Sequence, residues 1–158
     1  MDPGTATTGF SIIENQKGKI TLLDYGCIKT KSGLQPAIRL QQIADDLKYL
    51  LAKWQPQKAS IEKIFFRKNI KTAIGVAQAR GVLLQKLTEQ GIEPNEYTPL
   101  EIKASICGYG RADKEMVQKM IKLTLGLQET PKPDDAADAI AAAICLANSL
   151  ALSQAIHQ

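Results

Sequence analysis

Met1-Asp2-Pro3-Gly4-Thr5-Ala6-Thr7-Thr8-Gly9-Phe10 opens the chain, and its reading decides the fold. It reads as the end of a strand, an acidic residue, a tight turn and the start of a second strand. Pro3 fixes its own φ and Gly4 permits a positive one, so Asp-Pro-Gly turns the chain for a physical reason. A carboxylate held just before such a turn, at the mouth of a sheet, is placed to hold a metal ion. Taken alone, a turn and nothing more is the simpler reading. Almost nothing precedes Asp2, so the strand expected to carry it is nearly absent.

Outward from this stretch, Phe10–Ile13 and Ile20–Ile28 read as two strands, joined through the polar turn Asn15-Gln16-Lys17-Gly18. Leu34, Ile38, Ile43, Leu47, Leu50, Leu51 and Trp54 then recur at the spacing of one helix face. Gln55-Pro56-Gln57 stops that helix, because proline cannot continue a helix interior. Lys58–Glu62 reads as a short strand, and a second helix is predicted from about Asn69 to Gln90, ended by Gly91. The middle of that helix, Ala73 to Gly81, is rich in small residues and lets another backbone approach, either the sheet beneath or a second subunit. Ile92–Tyr97 is a weak strand interrupted by Pro94. Thr98-Pro99-Leu100-Glu101 has the residues of a capping box with proline at the first helical position. The loop Cys107–Ala112 breaks this helix. Asp113 can cap the next, whose buried side is predicted to hold Met116, Val117, Met120, Ile121 and Leu125. Pro131-Lys132-Pro133 breaks again, and a last helix runs from about Asp134 to near Ala155. The order is a mixed α/β layout: a strand meander first, then strands joined by helical crossovers.

Composition sets wide limits. The 158 residues suit one domain with a sizeable core. An apolar fraction of 44% and a charged fraction of 23% are those of an ordinary globular protein. The net charge of +4 is compatible with a polyanionic partner without requiring one. Cys27, Cys107 and Cys145 are odd in number and far apart, so they make neither a disulfide framework nor a zinc site. No secretory segment is recognisable, and the most apolar run, Ala139 to Leu152, contains Asn148 and Ser149 and is too short for a bilayer. The expectation is a soluble protein of the cytoplasm, with no membrane partner.

Two acidic residues at the last helix carry chemistry. Asp135 and Asp138 lie three apart and so project from one side of its first turn. Helix capping accounts for one aspartate there. It does not account for a second carboxylate on a helix of small and apolar residues, where an unpaired buried charge is costly. A metal ion would resolve that cost. Glu62 ends an otherwise apolar strand and is followed by Lys63-Ile64-Phe65-Phe66-Arg67-Lys68-Asn69. Cations neutralise phosphates and an exposed ring can stack on a base, although the same segment could be a solvated loop.

At these residues the chain resembles a known family. Asp2-Pro3-Gly4 with Thr8-Gly9, Ile61-Glu62 followed by Phe65 and Lys68-Asn69, Gln78-Ala79-Arg80-Gly81, and Asp135-Ala136-Ala137-Asp138-Ala139 are similar, in order, to the RuvC-type Holliday junction resolvases. The resemblance covers nearly the whole chain. It implies a single ribonuclease H-like domain over residues 1–158, a five-stranded mixed sheet flanked by helices. It implies that Asp2, Glu62, Asp135 and Asp138 converge on Mg²⁺, two ions per subunit, with Mn²⁺ as a substitute. Hard oxygen ligands suit that ion. The implied reaction is hydrolysis of phosphodiesters by paired symmetric nicks in a four-way DNA junction, during recombination and repair. The implied assembly is a homodimer joined largely through the Gln78–Gly81 helix, working with the RuvA-RuvB branch-migration complex. By the same resemblance Phe65 stacks on an unpaired base, and Lys103 and Lys114 lie near the active site as phosphate contacts or catalytic stabilisers of the transition state. Arg67, Lys68, Lys71 and Arg111 follow as backbone contacts. From the residues alone, each of these lysines is an ordinary surface charge.

The chain departs from the family at its start, where members carry several apolar residues before Asp-Pro-Gly. The expectations are that the start lies upstream, or that a shortened form has Asp2 on a fraying terminus and neighbouring strands with unpaired backbone. Three other readings compete: a catalytically impaired junction-binding protein of this fold, a related ribonuclease H-fold nuclease acting on RNA, and a sugar-kinase or actin-like ATPase. The last lacks a second phosphate loop in this sequence.

Overall fold

The computed structural model describes residues 1–64 and 70–156. Four strands and five helices follow in order: β1 (Thr7–Gln16), β2 (Lys19–Lys29), α1 (Pro36–Trp54), β3 (Ala59–Glu62), α2 (Ile70–Glu89), β4 (Pro94–Tyr97), α3 (Pro99–Cys107), α4 (Lys114–Leu125) and α5 (Asp134–Ile156). β1 and β2 form an antiparallel hairpin whose register shifts between Ile12 and Ile13. β3 and β4 pair in parallel, from Ala59 opposite Pro94 to Glu62 opposite Tyr97. The chain is thus α/β, but the described strands make two two-stranded sheets rather than the expected five-stranded one.

The reason lies at the N-terminus. Asp2 exchanges backbone hydrogen bonds with Gly9 of β1, at 3.0 and 2.9 Å. On the other side the Met1 carbonyl accepts from Glu62 N–H at 3.0 Å, and the Met1 ammonium donates to the Ser60 carbonyl at 2.7 Å. Two residues therefore tie β1 to β3, where a longer strand would join the pairs into one sheet. Beyond them the pairs stand apart across a groove of about 490 Å³, lined by Phe10, Leu47, Leu50, Leu51, Leu87 and Leu146 among others. The Met1–Asp2 segment is thus bonded on both sides, Asp2 to β1 and Met1 to β3, rather than fraying.

Helices cover both faces. Ile43, Leu47, Leu50 and Leu51 of α1 and Ala79, Leu83 and Leu87 of α2 share one core with Ile28 and Ile61. Ile102 and Ile106 of α3, Val117 and Ile121 of α4, and Ile140 to Cys145 of α5 build the other. α5 is long and apolar enough by length and composition to cross a membrane, with a mean hydropathy of 1.7, because it extends beyond the Ala139–Leu152 run. In the fold it is the central helix of the second core, buried from Ala136 through most positions to Ala147. It lies close on the strands through small residues. The hydroxyls of Ser11 and Ser60 donate to the Ala139 and Ala142 carbonyls, each at 2.9 Å.

Local signals explain the helix ends. Gln55 adopts φ 45° and closes α1 by donating to the Leu51 carbonyl at 2.9 Å. Thr98 and Glu101 form the full capping box of α3, and the Asp113 carboxylate accepts from Met116 N–H at 2.7 Å to cap α4. Two side chains depart from their expected faces. Ile38 and Met116 stand outside the cores, because each lies in the first turn of its helix, short of the elements that cover the rest.

Candidate active site

Three chain segments bring the predicted carboxylates together: the Met1–Asp2 link, the last residue of β3, and two positions, Asp135 and Asp138, near the start of α5. The Asp-Pro-Gly turn is closed by Thr8, a fully buried residue whose hydroxyl donates to the Gly4 carbonyl at 2.6 Å. Gly4 is not in the positive-φ region, contrary to expectation. It is needed for space, since a Cβ there would lie 2.2 Å from the Thr7 carbonyl oxygen. Gly9 has a similar role across the site: an added Cβ would lie 1.9 Å from the Asp135 carbonyl oxygen. The start of α5 can therefore press directly onto β1. Pro133 holds that start by accepting from Ala136 and Ala137 N–H at 3.1 and 3.2 Å.

The electrostatics show the convergence. Burial pushes the Asp2 carboxyl up to about 7 from 3.8, with Glu62, Asp138 and Asp135 adding to the rise and the terminal ammonium opposing it. Glu62 is raised by burial and then by Asp138, against the terminal ammonium and Lys103. Asp138 is raised by burial and by Asp134 and Asp135, against Lys114 and Lys103. Burial lowers the Met1 amine to about 6 from 8.0, although Asp2 and Glu62 favour its charge. These are the signatures of like charges gathered in a poorly solvated place.

A cavity of about 200 Å³ opens at the cluster, lined by Glu62, Asp138, Lys103 and Lys114 together with Pro99, Ile102, Val117 and Ala141. Asp2 and Asp135 lie outside this lining and reach it through their charge. Among the described residues, no three His, Cys, Asp or Glu side chains form a ready-made metal cage. The donor set is nonetheless that of a hard divalent cation: carboxylate oxygens only, half-buried and mutually repelling. Mg²⁺ keeps several waters and takes one or two carboxylates plus substrate phosphate, so an open cluster suits it better than a closed cage.

The two lysines differ. Lys103 Nζ donates to the Ala112 carbonyl at 2.7 Å, tying α3 to the loop before α4. Lys114 Nζ lies 2.9 Å from Asp134, which also accepts from Gln118 at 3.2 Å. That bond is the main cause of the raised Lys114 pKa, with Asp138 and Asp135 contributing. Asp134 was not singled out in the sequence, although a third carboxylate in the same first turn was visible there. Arg111 is exposed on the loop between α3 and α4. Phe65, Arg67 and Lys68 lie outside the described residues, as does His157. Lys71 is in the first turn of α2, and its side chain is likewise outside the description.

The Gln78–Gly81 motif divides between two directions. Ala79 is fully buried and Arg80 forms an ion pair with Glu96 of β4. Gly81 meets no atom within 4 Å of an added Cβ, and Gln78 and Ile74 are exposed beside it. Gly75 faces inward, where a Cβ would lie 2.8 Å from Thr5 Oγ1.

Comparison with known proteins agrees with this arrangement. The family model for crossover junction endodeoxyribonuclease RuvC matches residues 1–146. The crossover junction endodeoxyribonuclease RuvC of Syntrophomonas wolfei is 47% identical over 153 residues, covering 97% of this chain and 89% of its own. The structure of Thermus thermophilus RuvC superposes with a TM-score of 0.90 at 30% identity, covering 96% of this chain and 93% of that one. T. thermophilus RuvC in complex with Holliday junction substrate gives 0.87 at 27% identity, with 96% and 92% covered. With acidic residues from separate segments meeting at one cavity and a match over most of its length, the chain belongs to the RuvC family of crossover junction endodeoxyribonucleases.

Proposed function

We propose that this protein resolves four-way DNA junctions by divalent-metal-dependent hydrolysis of two opposed phosphodiesters. The observation that carries the reading is the meeting of Asp2, Glu62 and Asp138, from three distant parts of the chain, with every one of their pKa values raised. Burial, with mutual repulsion added to it, makes these carboxylates costly without a cation, and a cation relieves both. Asp2, Glu62, Asp135 and Asp138 would hold Mg²⁺, two ions per subunit, or Mn²⁺ in its place. What the metal supplies when bound is an acidified water and neutralisation of the phosphate charge.

The chain's own residues supply position and field. Glu62 and Asp138 flank the cavity and fix where the phosphate can stand relative to the carboxylates. Lys114, which also lines the cavity, offers a cation to a non-bridging phosphate oxygen. Lys103 contributes charge to the same lining while holding the adjacent loop through Ala112. Attack by water in line with the 3′-oxygen would leave a 5′-phosphate and a 3′-hydroxyl. Phe65, Arg67, Lys68, Lys71 and Arg111 are proposed as contacts to the junction arms.

The two-strand pairs are proposed to act as one ribonuclease H-like sheet of five strands, with Met1–Asp2 standing in the central position. The protein is proposed to act as a homodimer through the exposed side of α2, around Ile74, Gln78 and Gly81, since paired nicks need two sites. Function in the cytoplasm beside the RuvA-RuvB complex follows from the same family reading. The testing assay incubates the protein with a synthetic four-way junction, linear duplex or structured RNA, in Mg²⁺ or chelator, with Glu62→Gln alongside. Paired nicks on the junction only, abolished by chelator and by Glu62→Gln, are expected. Binding without nicks selects the impaired form, and preference for RNA selects the RNA nuclease.

A further inference from the structure

The loop between α3 and α4 is anchored at Gly108, Gly110, Ala112 and Asp113. Gly108, at φ 81°, closes α3 by donating to the Ala104 carbonyl at 2.8 Å. Gly110 sits on Leu100, with the Leu100 carbonyl 3.1 Å and Cδ2 3.3 Å from the position of an added Cβ. Ala112 is buried and held by Lys103, and Asp113 is committed to capping α4. Despite this anchoring, Tyr109 is 51% exposed and Leu100 is 59% exposed. The loop thus leaves Tyr109 in water, and Leu100, in the first turn of α3, is exposed next to Gly110. The loop borders the carboxylate cavity, because Lys103 lines that cavity and bonds the loop.

The charges around it are mixed, with Arg111 as the cation on the loop itself. Arg111 is exposed on the loop, and Lys103 and Lys114 flank it. The exposed carboxylates nearby are Glu101, bonded to Thr98 N–H, Asp113, bonded to Met116 N–H, Glu115, and Asp134, which is paired with Lys114.

We infer that Tyr109, with Leu100 beside it, forms a ledge on which an unpaired nucleobase stacks next to the cleavage site. The inference rests on the junction-resolving reading and adds a contact on the α3–α4 side, opposite in sequence to the segment after β3. Every base offers a π-face, so the ledge holds a base without reading its identity. It steadies the strand that enters the cavity, while Arg111 takes the neighbouring phosphate.

The test uses the full chain and a four-way DNA junction carrying 2-aminopurine at each position flanking the crossover in turn. Wild type is expected to bind and to change the fluorescence of one or two positions. Tyr109→Ala should weaken junction binding roughly 5- to 150-fold, the range of one lost base stack, and abolish that signal. Tyr109→Phe should restore both, since the ring and not the hydroxyl acts. A Tyr109→Ala protein with wild-type affinity and the wild-type fluorescence pattern overturns the inference. So does a Tyr109→Ala protein whose only change is in oligomeric state, which would give the ledge to a contact between copies. A wild type that binds no junction overturns the functional reading together with this one.

Discussion

Replacing Asp2 by asparagine should stabilise the metal-free protein while disabling its chemistry. The folded chain raises the Asp2 carboxyl from 3.8 to about 7, mainly by burial and then through Glu62 and Asp138. A carboxyl whose folded pKa lies above its unfolded value binds its proton more tightly in the folded state. Its contribution is therefore most favourable below about pH 4 and is lost as pH rises through about 7. A rise of this size corresponds to about 4 kcal/mol at most, and relaxation of the neighbouring carboxylates leaves about 2–4 kcal/mol. Asparagine keeps the backbone bonds to Gly9 and removes the charge. It also forfeits attraction to the Met1 amine, a small loss because that amine, at about 6, is largely neutral at pH 8. The expected gain in melting temperature at pH 8 in chelator is roughly 5–10 °C for a chain of this size. Thermal melts of both proteins at pH 8 and pH 4.5 check it, and the gap should narrow at the lower pH. An Asp2→Asn protein that melts below wild type at pH 8, or a gap that does not narrow, would refute the claim that this carboxylate is held at a cost.

Other outcomes follow from single contacts. Gly9→Ala should destabilise the fold by about 3 kcal/mol and lower junction cleavage roughly 100-fold, because its Cβ would meet the Asp135 backbone and shift α5. Urea midpoints and single-turnover rates measure the two effects. Ser60→Ala should cost about 1 kcal/mol by chemical denaturation, through loss of the buried bond to the Ala142 carbonyl. The Met1 amine, lowered from 8.0 to about 6, penalises the folded state fully below pH 6 and not at all above pH 8, a span of about 2–3 kcal/mol. Extending the chain before Met1 by four apolar residues should remove this dependence and raise the melting temperature, whereas four Gly-Ser residues should remove the dependence alone; equal melting of the two would show that the groove gains nothing from an apolar strand.

The sequence carried the helices well, for identifiable reasons. The face Ile43, Leu47, Leu50, Leu51 in α1 follows from spacing alone, and the Thr98–Glu101 box and Asp113 cap are local chemistry. The same period placed Ile38 and Met116 inward, because spacing identifies a face but not how far a neighbouring element covers it. The carboxylates were legible as charges where charge is costly. What joins them was not: the bonds of Met1 to Ser60 and Glu62 link residues about 60 positions apart in sequence, and no local pattern encodes them. Gly4 was read through turn chemistry and Gly9 only as part of a motif, while their reason here is closeness to backbone, that of Thr7 for Gly4 and that of the distant Asp135 for Gly9. Arg80 belongs to the motif on the helix read as a subunit contact, and its ion pair with Glu96, which joins α2 to β4, was not visible in that motif. Lys103 likewise has a carbonyl partner in Ala112 that only the folded loop supplies.

The most direct measurement of the central claim is a Mn²⁺ titration, read by electron paramagnetic resonance, of wild type and the single variants Asp2→Asn, Glu62→Gln and Asp138→Asn. If residues from three separate segments hold the metal jointly, each substitution should weaken binding about tenfold or more. Asp134→Asn, whose carboxylate is engaged by Lys114 and Gln118, should bind nearly as wild type does. Undiminished Mn²⁺ binding in all three variants, or binding lost only with Asp134, would contradict the account.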